Sequence, residues 1–343
     1  VKNKWSAAIQ LAAVYVGTVV GAGFATGREI VVFFSQYGFI GFLGILLSGI
    51  IFAYFGAKLM RISVKIKASS YQEFTIYLFG NIVGNMINFL LLLMLLGVCA
   101  VMFSGAGAVF EEQLGLNKST GVIFTIILSL LVMRVGTKGL FAVNTFVVPI
   151  MITFSFILFL LSISLPGFFG EIFQMENISW KTISSPFSYT ALNLALAIAV
   201  LVPAASEIGD EEVAKWGGIL GGIALMLILI SSHFSLIMLS DVYRYSIPMA
   251  VIMKNLAPQL SWVYILVIYG EIFSSVIGNI YGLERQLRSF IPLPSMVIIG
   301  GIILISYLIS YVQYGTLLSF LYPIFGYISL VFLLFLWRKP IPK

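Results

Sequence analysis

The chain has 343 residues, of which 60% are hydrophobic and 9% charged, and its mean hydropathy is +1.09. A soluble domain carries about 25% charged residues, so this composition excludes a water-soluble globular fold and makes the lipid bilayer the natural solvent. Lysine and arginine number 19 against 13 acids, a net charge of +6. These positives sit at the ends of apolar stretches, which signals topology rather than nucleic-acid binding. The single cysteine, Cys99, excludes an intramolecular disulfide.

A membrane-spanning helix needs about 20 apolar residues. Such stretches fall at roughly 5–35, 39–62, 83–112, 119–135, 138–164, 188–209, 213–240, 260–288, 294–311 and 314–337. The expected fold class is therefore all-α integral membrane, with about ten transmembrane helices. Segment 165–187, with Pro166, Gly167 and Pro186, reads as an external connection. Segments 68–80 and 246–258 read as surface helices. Lys2 and Lys4 precede an apolar stretch that runs too far for the core of a cleavable signal. If the N-terminus is inside, Arg28, Lys118, Lys181, Arg244 and Lys254 lie outside and the other 14 of the 19 positives inside. That bias places both termini in the cytoplasm and the chain in the cell membrane.

The two halves resemble each other. A shift of 173 places Gly97, Gly105, Glu111, Gln113 and Leu114 on Gly270, Gly278, Glu284, Gln286 and Leu287. A shift of 174 places Phe146, Pro149 and Ile150 on Phe320, Pro323 and Ile324, and one of 178 places Glu29 and Ile30 on Glu207 and Ile208. The expected organisation is a first five-helix repeat at 1–164, the connection at 165–187 and a second repeat at 188–343. An odd number of helices per repeat inverts the second in the bilayer, which is a transporter architecture.

The first span carries Gly17, Gly21, Gly23 and Gly27 within eleven residues at mid-membrane. Each glycine costs about 1 kcal/mol relative to alanine in a helix. The sixth span carries Pro203 just before Glu207. Both helices are therefore expected to break, near 17–24 and 200–205. A break exposes amides near Ala22, Gly23 and Phe24, which suit a carboxylate. It also frees carbonyls near Gly17 and Val20, which suit a small cation.

Gly21-Ala22-Gly23-Phe24 resembles the glycine motif in the first helix of the amino acid–polyamine–organocation superfamily. Leu201 to Glu207 is similar to that superfamily's sixth helix, where a bulky gate residue precedes a glutamate by six positions. The stretch from Gly17 to Glu29 resembles YkvI-type permeases. The resemblance implies a LeuT-type fold with broken first and sixth helices, with Leu201 as a substrate gate. In sodium-coupled relatives, a sodium site uses two adjacent hydroxyls on the eighth helix and carbonyls of the first-helix break. Carried over, its ligands are the Ser274 and Ser275 hydroxyls and the Gly17, Val20 and Glu271 carbonyls. Proton-coupled relatives often carry a lysine on the fifth helix, where this chain has Asn144 and Thr145.

Ionisable residues inside a membrane are functional candidates. Glu271 shares a helical face with Ser274 and Ser275, and suits a cation, a substrate amine or a proton. Arg28 and Glu29 are expected at an outer gate, with Glu111 or Glu112 as partners. Glu207 is expected at the inner gate. Asp210, Glu211 and Glu212 suit the start of the seventh helix, and His233 reads as a packing residue. No nucleotide motif, serine triad or HExxH argues for an enzyme. The function expected is secondary transport of a small amino acid or related organic solute, with Na+ as coupling ion and no other cofactor. The alternatives are a proton-coupled porter using Glu271, and a ligand-sensing subunit like the spore-germination B subunits. The expected partners are the bilayer and the small-molecule substrate, with no nucleic acid. The oligomeric state is left open.

Overall fold

The computed structural model describes residues 2–68, 70–135, 138–174, 178–288 and 292–342, and the side chains of residues 2, 3, 135 and 138–148 fall outside the description. Asn144, Thr145 and Phe146 are among the latter.

The first span is three helices in line. α1 (Lys2–Val19) ends at the glycine cluster, α2 (Ala22–Ala25) is one turn, and α3 (Arg28–Phe33) continues outward. Gly21 is extended (φ −120°, ψ −165°) between α1 and α2, and Gly27 is left-handed (φ 79°) between α2 and α3. Only glycine takes the second conformation at little cost.

α4 (Gly38–Ile66) returns across the molecule and stops at left-handed Lys67. The short α5 (Tyr71–Phe79) is capped by Ser70, whose side chain accepts from the Glu73 amide. α6 (Asn81–Ala108) widens into a single π turn at Val109–Gln113. α7 (Lys118–Val135), α8 (Lys138–Ile163) and the short α9 (Phe168–Ile172) complete the first half.

α10 (Trp180–Ile208) starts earlier than proline at 186 suggests, because a Ser179–Thr182 capping box fixes its first turn. It also runs unbroken through Pro203, which corrects the expected break near 200–205. A proline removes one amide from the ladder, and a membrane helix re-satisfies the freed carbonyl locally. Without neighbouring glycines, one missing bond does not unwind a turn. α11 (Glu211–Leu236), the short α12 (Pro248–Leu256), α13 (Ser261–Arg288), α14 (Ser295–Ile309) and α15 (Tyr314–Arg338) follow.

Among the described residues, six helices are long and apolar enough to cross a membrane: α4, α6, α10, α11, α13 and α15. The other four expected spans fall on α1, α7, α8 and α14, at the positions expected. α1, α4, α10 and α11 pack on one another, while α13 packs on α6, α8 and α14. The α4–α11 contact is close enough that a Cβ on Gly218 or Gly222 would strike the backbone of Ala57 or Ala53. Small residues of this kind let membrane helices approach.

Candidate functional site

The break in the first span sits at the meeting of both helix groups. The Val20 amide donates to Val16 O (2.8 Å), and the next amides to reach back, those of Phe24 and Ala25, both donate to Gly21 O (3.0 Å). Among the described residues, no backbone bond across the break uses the carbonyls of Gly17 to Val20. These are the carbonyls expected to face a cation.

α13 lies alongside. Tyr264 OH donates to Ala25 O (3.1 Å), and a Cβ on Gly21 would lie 3.6 Å from Ser275 Oγ. Tyr264, Ile268, Glu271 and Ser275 share one stripe of α13, at spacings of four, three and four. Both ends of the stripe touch the break, so Glu271 lies between them on the face toward α2. Glu271 is 2% exposed, and its Oε1 has no hydrogen-bond partner among the described residues. Ser274 Oγ donates to Glu271 O (3.1 Å).

On the opposite side of α2, the turn at Gly27 folds Glu29 back toward the break. Glu29 is 5% exposed. Its carboxylate lies where a Cβ on Gly23 would stand, and its Oε1 accepts from Asn193 Nδ2 of α10 (3.2 Å). The Asn193 amide also donates to Tyr189 O (3.0 Å). Tyr314 OH and Thr26 Oγ1 share a hydrogen bond of 2.8 Å.

Arg28 and Glu29 turn to different partners. Arg28 donates to the carbonyls of Tyr243 (2.8 Å) and Tyr245 (3.1 Å) and to Ser319 Oγ (3.2 Å), tying α3 to α15 and the loop before α12. Glu111 and Glu112 are exposed, and among the described residues neither pairs with it. Arg28 and Glu29 both lie in α3, where successive side chains point about 100° apart, so adjacent residues meet different neighbours. Of the amides expected to meet a carboxylate, that of Phe24 donates to Gly21 O, and the Glu29 carboxylate stands where a Gly23 Cβ would be. Leu201 is fully buried in α10. Glu207 is exposed and takes no part in the ion pairs at its end of the molecule.

Those pairs use its neighbours. Asp210 caps α11 by accepting from the amides of Glu212 (2.9 Å) and Val213 (3.2 Å). It also lies 2.6 Å from Lys4 Nζ, while Glu211 lies 2.7 Å from Arg61 and 3.0 Å from Lys65. His233 is buried, and its Nδ1 shares a 3.1 Å hydrogen bond with Ser35 Oγ, the packing role expected of it. No group of three or more His, Cys, Asp or Glu suited to a metal ion occurs among the described residues.

Sequence reasoning missed Asn193, which donates to Glu29, and Tyr314, which meets Thr26. Asn193 carried a signal, because it is a lone amide within the apolar run from Ala191 to Leu201.

No model of a known protein family matches the chain. It is 50% identical over 342 residues to the uncharacterized membrane protein YkvI of Bacillus subtilis (strain 168), covering 100% of this chain and 98% of the relative. The chain belongs to the YkvI family. A more distant relative is the uncharacterized protein YyaD of the same organism, 23% identical and covering 98% of each chain. This YkvI-family chain also shares its fold with a mutant form of a manganese transporter from Eremococcus coleocola. The TM-score is 0.60 at 13% identity, over 97% of this chain and 77% of that one. The described elements are all helical, and the chain is a membrane protein with the fold of that transporter.

Proposed function

We propose that this protein is a secondary transporter of a small organic solute, built as ten spans in two inverted five-helix repeats. The observation that carries the reading is the interrupted first helix, with buried carboxylates on both sides of the break. Interrupted spans at mid-membrane are where transporters of this architecture bind substrate and ion.

The order of the helices supports the repeat. Taking the first span as one unit, α4, α5, α6, α7 and α8 follow it as 29, 9, 28, 18 and 26 residues. After α10 come α11, α12, α13, α14 and α15, with 26, 9, 28, 15 and 25. On this reading 1–164 and 188–343 are the repeats and 165–187 joins them outside. Lys4, Arg61 and Lys65 share one end of the molecule with the start of α11. This supports a cell-membrane protein with that end, and both termini, in the cytoplasm.

Sodium is the proposed coupling ion. Its ligands would be the carbonyls of Gly17, Val20 and Glu271 and the hydroxyls of Ser274 and Ser275. The unused carbonyls of the break and the approach of Ser275 to Gly21 support the site. A specific observation favours a second reading, coupling to protons. Glu271 Oε1 is buried with no hydrogen-bond partner among the described residues, and ionisable groups inside a membrane mark proton relays. Uptake into proteoliposomes under a sodium gradient, and then under a pH gradient, tests both. Binding without uptake under either would assign the protein to ligand sensing.

A further inference from the structure

Two apolar grooves flank α4 on the outside of the helix bundle. The first, of about 650 Å³, lies between α4 and α11. Gly49, Ala53 and Ala57 line it from α4, each four residues after the last, so they share one face and leave a strip with almost no side chain. Ile219 and Ile223 of α11 form the opposite wall. Behind the strip the two helices touch, where Gly218 and Gly222 meet the backbones of Ala57 and Ala53. The second groove, of about 660 Å³, lies between α4 and α15 and is lined by residues such as Ile51, Phe55, Leu330 and Leu334. Tyr54 lines both grooves and is 53% exposed, so it stands as a ridge between them.

The first groove is apolar for most of its length and basic at one end. Lys58, Arg61 and Lys215 line it there, and no acid is among its lining residues. Arg61 is already paired with Glu211 (2.7 Å). Lys215 makes no ion pair among the described residues, and its Nζ lies 5.6 Å from the ring centroid of Trp216. Lys58 Nζ donates to Trp337 O (2.7 Å), and Trp337 lines the second groove, so this lysine stands over both. An ammonium has three donors, and one such bond leaves two for a ligand. Trp216 and Trp337 are exposed, and exposed tryptophans of a membrane protein sit at the headgroup level. From Gly49 to Arg61 a helix rises about 18 Å. That is close to the depth of one leaflet, since the whole hydrocarbon core is about 30 Å thick.

We propose that this face binds one anionic phospholipid, with its phosphate between Lys58 and Lys215 and one acyl chain in each groove astride Tyr54. Basic pockets between membrane helices suit such headgroups. A free phosphate would need the lysines but neither groove. A zwitterionic lipid brings its own cation to a place that already holds three. A second copy related by a two-fold axis would bring these cations toward their own images. The bound lipid would hold α4 against both α11 and α15. The site rests on the membrane setting of the chain, not on what the protein transports.

The test is native mass spectrometry of the delipidated full-length protein, with dioleoyl phosphatidylglycerol, dioleoyl phosphatidylcholine and glycerol 3-phosphate as probes. Phosphatidylglycerol should bind as one copy per chain, at least tenfold more tightly than phosphatidylcholine, and glycerol 3-phosphate should not bind. Lys58→Gln with Lys215→Gln should weaken phosphatidylglycerol at least tenfold. Lys181→Gln with Lys254→Gln removes the same charge at two exposed positions elsewhere and should stay within about twofold. Ile223→Trp, which fills the first groove from its exposed wall, should weaken both lipids. Equal affinity for the two lipids, equal losses in the two lysine pairs or unchanged binding in Ile223→Trp would each overturn the proposal. So would glycerol 3-phosphate binding as tightly as the lipid, which means an anion site alone. A dimer that persists without lipid and excludes it would assign the face to a second copy.

Discussion

Lys4 Nζ lies 2.6 Å from Asp210 Oδ2, joining the start of the first helix to the turn between α10 and α11. Beside it, Trp5 and Trp216 meet at 5.3 Å between ring centroids. The two contacts latch α1 to the helices it must leave if the break is to open on this side. Asp210→Asn keeps a good helix cap and removes the charge. Hydrogen exchange of the α1 amides should speed up in Asp210→Asn and stay unchanged in Glu207→Gln. Equal exchange in both variants would remove the latch.

The same pair sets a pH dependence. The hydrogen bond from Lys4 holds the Asp210 carboxyl below its ordinary range, and those from Arg61 and Lys65 do the same for Glu211. A carboxyl with a lowered folded pKa stabilises the fold above its unfolded value, near 4, and the contribution is lost as pH falls through the folded value. The latch should therefore persist from pH 8 to 5 and loosen only below about pH 4. Trp5 and Trp216 fluorescence followed over that range would show it. A transition near pH 6 would mean that another group controls this end.

Gly23→Ala places a Cβ on the Glu29 carboxylate. Overpacking of this kind typically costs about 1–3 kcal/mol. The unfolding midpoint should fall, and Glu29→Ala added to Gly23→Ala should recover most of the loss in stability. A wild-type midpoint in Gly23→Ala would show that the two residues do not touch. Gly27→Ala should also destabilise, by about 1–2 kcal/mol, because its φ of 79° is left-handed.

The glycines told where the first helix breaks, a local signal carried by residues whose cost in a helix is known. The second bend, at Thr26 and Gly27, was not separable from the first in a run of four glycines. Its consequence, the inward turn of Glu29, depends on which way the chain resumes. Pro203 misled in the opposite direction, since one proline without glycines nearby leaves a helix intact. The place of Tyr314 on α15 was illegible because nothing in the order of residues says that it meets Thr26.

Ser274→Ala with Ser275→Ala tests the ion site. Ser275 Oγ faces Gly21, whereas Ser274 Oγ already donates to Glu271 O. The single Ser275→Ala should therefore weaken sodium dependence nearly as much as the double variant, and Ser274→Ala much less. The measurement is the affinity of each purified variant for radiolabelled sodium. The reverse order, with Ser274 dominant, would place the ion elsewhere.

The most direct test is uptake by the purified protein in proteoliposomes, using labelled alanine and other small organic solutes with sodium outside only. The account predicts accumulation above equilibrium that collapses when a sodium ionophore is added. Accumulation that ignores sodium and follows a pH gradient would move the coupling to Glu271. Binding of the same solutes with no gradient-driven accumulation of either kind would contradict secondary transport itself.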